Sequence, residues 1–465
     1  MNKTSLDNAI RSAIVTGCLW DTEKYDALDK SQITLSDSFC KRRDSVLRRY
    51  SNLRSLVTVK RSLIVAAIVV AAIISLSVIT VMAVEPIRET AYHFFFDFGD
   101  TGVPEQSEPL TPPPGVEYSE GLSYSLSSDG SYYIVKDFGN CFDDAIYIPP
   151  IYNDIPVKVI GEKAFKRCRS KNVFIPEGIE KIENNAFFGC EAVYIQLPES
   201  LTYIGDFAFF SCKIETVYLS EKIEYIGPYA FYSCELLKSL NIPNSLTTIE
   251  HYVFDHCEAL EEVVIPDSVT AVNNGAFSGC VSLKKVTLGK SVTSIGDLAF
   301  SGCENLREVI LPEELVEIGN GAFGRCKQLN SVAFGNKIKT IGEGAFAFCT
   351  RITSIKLPDS VEHLGCNAFS NCTGLKTVEL SKNITTIEDC LFMSCSNMES
   401  IILPPRIEKI GANAFEGCKD LKEISLPEGI KSIGSVAFAG CSSLESLTFP
   451  DGIEYYGVDF INACS

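Results

Sequence analysis

Cysteines recur at a fixed interval along most of this chain of 465 residues. Fourteen of the nineteen cysteines follow one another at steps of 22 residues at first and of 23 residues later. They are Cys168, Cys190, Cys212, Cys234, Cys257, Cys280, Cys303, Cys326, Cys349, Cys372, Cys395, Cys418, Cys441 and Cys464. A period in the twenties indicates a repeat architecture, in which each unit buries its apolar face only by stacking on its neighbours. We therefore expect a solenoid, which offers an extended surface for binding.

Each repeat contains two short extended segments and a turn. Between Cys303 and Phe323, alternating residues around Val309 predict a strand that Pro312 ends, and a second extended segment closes at Ile318. An Ala-Phe pair then leads into a tight turn. The recurring rings are Phe165, Phe187, Phe209, Phe231, Phe254, Phe277, Phe300, Phe323, Phe346, Phe369, Phe392, Phe415 and Phe438. We expect these rings in a continuous core, with in-register parallel strands joined by short turns or 3-10 segments.

The periodic cysteines predict reduced, buried thiols, because a small apolar residue at one position of every turn is typical of an inward ladder. Neighbouring turns nevertheless lie close enough for a disulfide. Cys366 and Cys390 are additional cysteines on adjacent turns, offset by one residue from perfect stacking. They are the best candidates for a disulfide, and the sequence leaves their pairing open.

An apolar segment near the N-terminus predicts a transmembrane helix. Residues 62–84 contain no charge and would span about 34 Å as a helix, enough for a bilayer core. Residues 41–61 hold eight basic residues and one acid, which predicts a cytoplasmic N-terminus and extracellular repeats. The alternative is a signal peptide cleaved after Ala83, but a 61-residue leader is far longer than a normal n-region.

These features divide the chain into five segments. We predict a cytoplasmic segment at residues 1–61, the transmembrane helix at 62–84, and a juxtamembrane segment with a proline-rich spacer at 85–118. Residues 119–160 predict a hairpin-rich N-terminal cap, and residues 161–465 the repeats. Residues 94–98 hold four phenylalanines, which fit either the lipid headgroup level or a short helix packed on the first repeats.

Charge and motifs exclude several function classes. The formal net charge is −18, and residues 1–61 contribute +5 to it (twelve basic against seven acidic residues), which leaves −23 for the remainder. An acidic surface argues against binding nucleic acid or anionic lipid. The chain contains no GxSxG, phosphate-loop or HExxH motif. His251 and His256 share one turn but lack a carboxylate at ligand spacing. We expect no enzyme, no cofactor and no metal site.

The periodicity also predicts an outward face on the first strand of each repeat. One outward column is Phe174, Gln196, Tyr218, Asn241, Val264, Thr287, Ile310, Ala333, Lys356, Glu379, Ile402, Ser425 and Thr448. A second column is Ser239, Glu262, Lys285, Glu308, Ser331, Ser354, Thr377, Ser400, Glu423 and Ser446. The first column mixes aromatic with aliphatic residues, as protein-binding faces do. We predict partner contacts at Phe174, Tyr218, Val264 and Ile310; the alternative is a solvated face of ordinary β-forming residues.

The repeat unit C-x-x-L-x-x-V-x-L-P-x-x-V-x-x-I-G-x-x-A-F-x-x-C, over residues 121–465, resembles the leucine-rich repeats of BspA-like bacterial surface proteins. The resemblance implies a cell-surface protein that binds host proteins, matrix components or other microbes, and it implies no enzymatic activity. We therefore expect a membrane-anchored leucine-rich repeat protein that binds a protein or glycan partner in adhesion or recognition.

The alternative function is transmembrane signalling. Residues 60–100 resemble the anchor of Gram-positive membrane proteins with short cytoplasmic regions, some of them anti-sigma-factor-like. In that case residues 1–61 would bind a cytoplasmic regulator when the solenoid is occupied. The chain has no His-x-x-x-Cys-x-x-Cys stretch, so a zinc-type anti-sigma domain is not supported.

Overall fold

A computed structural model describes residues 117–139, 141 and 144–458. The predicted cytoplasmic segment, transmembrane helix and spacer, at residues 1–116, lie outside the described residues. Within the described part of the chain, no helix has the length and apolar character needed to cross a bilayer.

Two short strands in each repeat build the solenoid. The first strands are Ala145–Tyr147, Asn172–Phe174, Tyr194–Gln196, Thr216–Val217, Ser239–Leu240, Glu262–Val264, Lys285–Thr287, Glu308–Ile310, Ser331–Ala333, Ser354–Lys356, Thr377–Glu379, Ser400–Ile402 and Glu423–Ser425. The second strands are Ile155–Ile160, Lys181–Ile182, Tyr203–Ile204, Tyr225–Ile226, Thr248–Ile249, Ala271–Val272, Ser294–Ile295, Glu317–Ile318, Thr340–Ile341, His363–Leu364, Thr386–Ile387, Lys409–Ile410, Ser432–Ile433 and Tyr455–Tyr456.

Equivalent strands of consecutive repeats pair in parallel and in register. Glu308 pairs with Ser331 and Ile310 with Ala333, and the same one-repeat shift recurs along the stack. Between repeats, first strands pair with first strands and second strands with second strands. The predicted in-register parallel solenoid is therefore confirmed. The second extended segments pair as the first strands do, so each repeat contributes a strand to a sheet on two of its sides, and several sheets follow one another along the stack.

The third side of each repeat is a turn segment between the second strand and the next cysteine; we call this the turn side. Two residues of every turn segment have positive φ, one before the alanine and one before the cysteine, as at Leu298 (58°) and Arg325 (62°). A right-handed helix cannot continue through such residues. For this reason the described residues contain turns and no 3-10 helix, contrary to the prediction of 3-10 segments.

The core is a column of phenylalanine rings. All thirteen recurring rings are buried, and those from Phe165 to Phe438 stack face to face with centroids 4.9 to 6.0 Å apart. The small residue before each ring, such as Ala322, is also fully buried. The predicted continuous core is confirmed.

The cysteine thiols form a second internal ladder. From Cys212 to Cys441, each Sγ donates to the carbonyl oxygen of the phenylalanine in the preceding repeat, as Cys303 does to Phe277 at 3.2 Å. The same carbonyl accepts the backbone N–H of the cysteine in its own repeat, as Cys280 does at 3.4 Å. A cysteine therefore fills the apolar interior and satisfies a second lone pair of a buried carbonyl, which alanine or valine cannot do.

Cys366 and Cys390, the two candidates for a disulfide, are not joined to each other. These two are half-buried near the turn side, and burial is the largest cause that raises the pKa of each thiol. The periodic cysteines from Cys168 to Cys441 are buried, as the sequence predicted, and Cys464 lies outside the described residues.

Two antiparallel hairpins precede the repeats. Ser123–Leu126 pairs with Tyr133–Asp137, and Ile151–Tyr152 pairs with the start of Ile155–Ile160 through a tight turn in which Asn153 and Asp154 both have positive φ. The strand Tyr133–Asp137 then pairs in parallel with Ile155–Ile160, which carries the second-strand sheet into the repeats. The hairpins lie where the sequence predicts the cap.

Candidate binding surface

The outward side of the first strands is a regular array of side chains. In the strand Glu308–Ile310 the middle residue, Val309, is 2% exposed, whereas Ile310 is 73% exposed. Strand alternation causes this contrast, since successive side chains point to opposite faces. Register then aligns the exposed positions of successive repeats, so Val264, Thr287, Ile310 and Ala333 form one column. We call this array the sheet face.

Aromatic rings cluster at the N-terminal end of the sheet face. Tyr147 and Phe174 lie on paired strands and stack with centroids 4.4 Å apart and an interplanar angle of 1°. Tyr194, which is 39% exposed, lies 5.8 Å from Phe174 at 55°. The three rings form one continuous apolar area at the first repeats.

The four predicted contact residues lie on the sheet face but in alternate repeats. Phe174 and Tyr218 are half-buried, while Val264 is 56% exposed. With turns about 4.8 Å apart, Phe174 and Ile310 are separated by six steps, or about 29 Å. The four residues therefore line one side of an elongated surface, and other side chains separate them.

Polar residues between them have structural roles as well. The Asn241 side chain accepts from the Leu219 backbone N–H and donates to the Leu219 carbonyl, both at 2.7 Å, so it extends the strand pairing where two-residue strands stop. Lys356 and Glu379 pair across adjacent repeats at 2.9 Å. These side chains hold neighbouring turns together. The exposed aliphatic residues of the column form no such bond, so a structural role of this kind does not explain them.

Sequence reasoning missed Tyr147 and Tyr194. Tyr147 precedes the first periodic cysteine, so the cysteine spacing does not assign it a position within a repeat. Tyr194 lies one position before the middle of its strand, in line with Asn172 and Thr216, so it belongs to the second outward column extended towards the N-terminus. Extending both columns through the cap would have identified both tyrosines.

The described residues contain no group of three or more His, Cys, Asp or Glu side chains placed to hold a metal ion. Burial raises the pKa of the ladder thiols from Cys212 to Cys418, to about 12 for Cys234 and Cys372, so these thiols are protonated at neutral pH. His256 Nδ1 lies 2.7 Å from the carboxylate of Asp255, whose pKa is raised chiefly by burial.

Comparison with known proteins identifies the repeat. The family described as "BspA type Leucine rich repeat region" matches residues 158–284, 247–376 and 339–465, with six copies. The chain is 25% identical to a leucine-rich repeat protein from Bacteroides ovatus of known crystal structure, over 75% of this chain and 92% of that one, with a TM-score of 0.55. It is 28% identical to a leucine rich cell surface protein from Faecalibacterium prausnitzii, over 74% and 95%, with a TM-score of 0.44. No curated protein matches the chain.

Proposed function

Since the chain belongs to the family of BspA-type leucine-rich repeat proteins, we propose that it is a cell-surface protein whose solenoid binds a protein or glycan partner. Solenoids of this kind generally act by binding rather than by catalysis. The partner docks on the sheet face, and the proposed contacts are Phe174, Tyr218, Val264 and Ile310.

The exposed aliphatic residues of the sheet face carry this proposal. Ile310 is 73% and Ile402 84% exposed, although a solvated strand position would favour a polar β-former such as threonine. Together with the ring cluster at Tyr147 and Phe174, they form an elongated surface with mixed apolar and charged side chains. This composition resembles the core and rim of a protein interface.

Anchoring of the solenoid at the membrane rests on the sequence. Residues 62–84 provide the span, and the basic residues 41–61 place the N-terminus inside and the repeats outside. Cysteine protection on intact and permeabilised cells tests this orientation: a cysteine introduced at exposed Lys290 should react with an impermeant maleimide on intact cells. Reaction only after permeabilisation would contradict the orientation.

Binding is tested with the full-length chain displayed on cells and an array of purified matrix proteins and glycans. Ile310→Asp and Phe174→Ser should each weaken capture of the bound array member by at least about tenfold, because both remove apolar contact area. Val316→Asp is the matched control, since Val316 is 40% exposed and lies next to a second strand, away from the sheet face. An equal loss in the control would contradict the proposed face.

Replacement of residues 1–61 by a short unrelated basic stretch, which preserves the orientation, separates adhesion from signalling. Adhesion predicts unchanged capture and unchanged transcription. A transcriptional response to array ligands that disappears on this replacement would favour the signalling function instead.

A further inference from the structure

Six half-buried aromatic side chains form two ladders on the turn side of four consecutive repeats. Phe207, Tyr229 and Tyr252 stack at 4.8 and 5.1 Å with interplanar angles of 1° and 7°. Phe188, Phe210 and Tyr232 stack at 4.6 and 4.9 Å, both at 5°. The two ladders touch, because Phe207 and Phe210 lie 5.9 Å apart, as do Tyr229 and Tyr232. We call these six rings the turn-side aromatic patch.

Most faces of these rings are covered. Within each ladder they face each other, and Lys166 Nζ lies 5.1 Å over the ring of Phe188 at the N-terminal end. At the other end Tyr252 lies against Gly275, where an added Cβ would come within 2.2 Å of the ring. Sugar stacking requires a free ring face, and the stacking within the ladders leaves little of this area free. The patch presents ring edges, which carry partial positive charge and attract carboxylate oxygens.

A cluster of cations adjoins the patch in the first repeat. Lys163, Lys166, Arg167, Arg169 and Lys171 are all exposed, within a stretch of nine residues. Within the described part of the chain, Arg167 and Arg169 form no ion pair, although most lysines of the repeats do. Lys163 and Lys171 of this cluster pair with Glu162 and Glu191, whereas the two arginines keep their charge unpaired among the described residues. Because the chain after residue 61 carries −23, these two arginines beside half-buried rings are a local exception that favours an acidic partner.

We propose that the cations and the turn-side aromatic patch together bind an acidic, apolar peptide segment of another protein. From the first repeat to Tyr252 the surface spans four steps of about 4.8 Å, or about 19 Å, which matches about six residues of extended peptide. The acidic end of the peptide lies at Arg167 and Arg169, and its apolar residues lie along the ring edges. This surface is on a different side of each repeat from the sheet face, so the inference does not rest on the proposed function.

The test selects from a random octapeptide library, displayed on phage, against the full-length chain in mild detergent. Enriched peptides should combine acidic residues at one end with leucine, proline or aromatic residues at the other. Fluorescence anisotropy with synthetic copies then compares variants: R167E with R169E should weaken binding by at least about tenfold, and the affinity should fall as salt rises from 50 to 300 mM. Tyr232→Ser should weaken binding to a similar extent.

Two matched controls lie on the same side of later repeats. Arg325 has the same positive-φ position before its cysteine as Arg167, and Phe348 is a 44% exposed aromatic without a ladder. R325E and Phe348→Ser should leave affinity within twofold of the parent. Circular dichroism of each variant shows that the fold is retained, and R167E with R169E removes no buried contact. The proposal would be overturned by equal losses in the controls, by enrichment of peptides that lack acidic residues, or by no enrichment at all. Displacement of the peptide by an anionic polysaccharide or by anionic vesicles at equal charge would also overturn it.

Discussion

The 22-residue repeats at the N-terminal end and the 23-residue repeats after them share one core but pack at different spacings. Across the 22-residue steps, from Phe165 to Phe231, ring centroids are 4.9 to 5.1 Å apart. Across the 23-residue steps, from Phe231 to Phe438, they are 5.3 to 6.0 Å apart. One additional residue per repeat therefore accompanies looser stacking of the central column.

A change of hydrogen-bond partner accompanies this difference. In the short repeats the residue after the cysteine bonds to the cysteine carbonyl one repeat earlier, as Glu191 N does to Cys168 O at 2.8 Å. In the long repeats the cysteine carbonyl accepts from its own repeat, as Cys303 O does from Leu306 N at 3.0 Å. The inserted residue thus replaces a bond between turns with a bond within a turn, and Leu306 takes the buried position that Ala192 and Ile214 hold in two short repeats.

The surfaces of the two regions differ more than their cores. The turn-side aromatic patch spans the short repeats and the first long one, whereas the corresponding positions of later repeats hold Ser301, Gly324 and Ala347. The internal ladders tolerate this variation because surface residues contribute little to them. The comparison teaches that the repeat fixes the interior and leaves each region free to acquire its own surface.

The largest expected effect comes from removing one ring of the central column. Phe187→Ala and Phe300→Ala should each lower the free energy of unfolding by about 3–5 kcal/mol, because each removes a fully buried ring and leaves a cavity. Urea denaturation monitored by circular dichroism measures the loss. The closer spacing around Phe187 predicts the greater loss there, and a clearly smaller loss at Phe187 than at Phe300 would contradict the link between spacing and packing.

A reciprocal exchange tests the role of the additional residue. Leu306→Ala should cost about 2–5 kcal/mol through a cavity, and Ala192→Leu about 1–3 kcal/mol through overpacking of the shorter repeat. Denaturation midpoints of both variants, with the parent as control, are the measurement. If Ala192→Leu is neutral, the core around Ala192 has room for leucine, as it has for Ile214 in the next repeat, and the expected overpacking is wrong.

The thiol ladder should respond to alkaline pH equally in both regions. Burial raises the pKa of Cys234 and of Cys372 to about 12, above the ordinary value of 9.0. A thiol with a higher pKa in the folded chain stabilises it fully below pH 9, and this contribution is lost as pH rises from 9 towards 12, by about 1.4 kcal/mol per pH unit per thiol. Urea midpoints at pH 8 and pH 10.5 should therefore differ.

Cys234→Ala and Cys372→Ala should each reduce that pH dependence by a similar amount, although both lower stability at pH 8. Parallel pH profiles of parent and variants would show that these thiols do not titrate on unfolding, contrary to the prediction.

The smallest effect concerns the positive-φ positions. Val436 has φ of 51°, a conformation unfavourable for a β-branched residue, so Val436→Gly should raise the free energy of unfolding by about 1 kcal/mol. Val316→Gly is the control: Val316 is exposed and is not among the positive-φ residues, so glycine there should destabilise the chain. Stabilisation in both variants, measured by thermal melting, would count against backbone strain as the cause.

The period predicted the interior well because every repeat needs the same buried surface. The recurring Phe323 and Cys303 positions, the end of the strand before Pro312 and the outward column through Ile310 all follow from position within the repeat. The sequence did not reveal the positive-φ backbone, since Leu298, Phe207 and Val436 are residues that intrinsic preference places elsewhere. There the hydrogen bonds between stacked turns override local preference.

The candidate contact residues were harder to predict. Periodicity places Phe174 and Ile310 on one side, but it carries no information on which exposed positions cooperate. The Phe-Ala-Phe-Phe run at residues 207–210 contains aromatic residues beside the recurring phenylalanine, and it could have indicated the turn-side aromatic patch. Because the recurring phenylalanine is a core residue, its neighbours were not considered as surface residues. Surface function depends on the residues that differ from one repeat to the next, and the consensus sequence of the repeat does not contain them.

Because every repeat meets only the one before and the one after, and meets both through the same ladders, whole repeats are interchangeable units of length. Unequal recombination between neighbouring repeats would remove or add one complete unit and leave intact ladders on both sides of the junction. Such a gene can change the reach of its product in a single event without passing through a misfolded intermediate, whereas the loss of part of a repeat would break the column of rings.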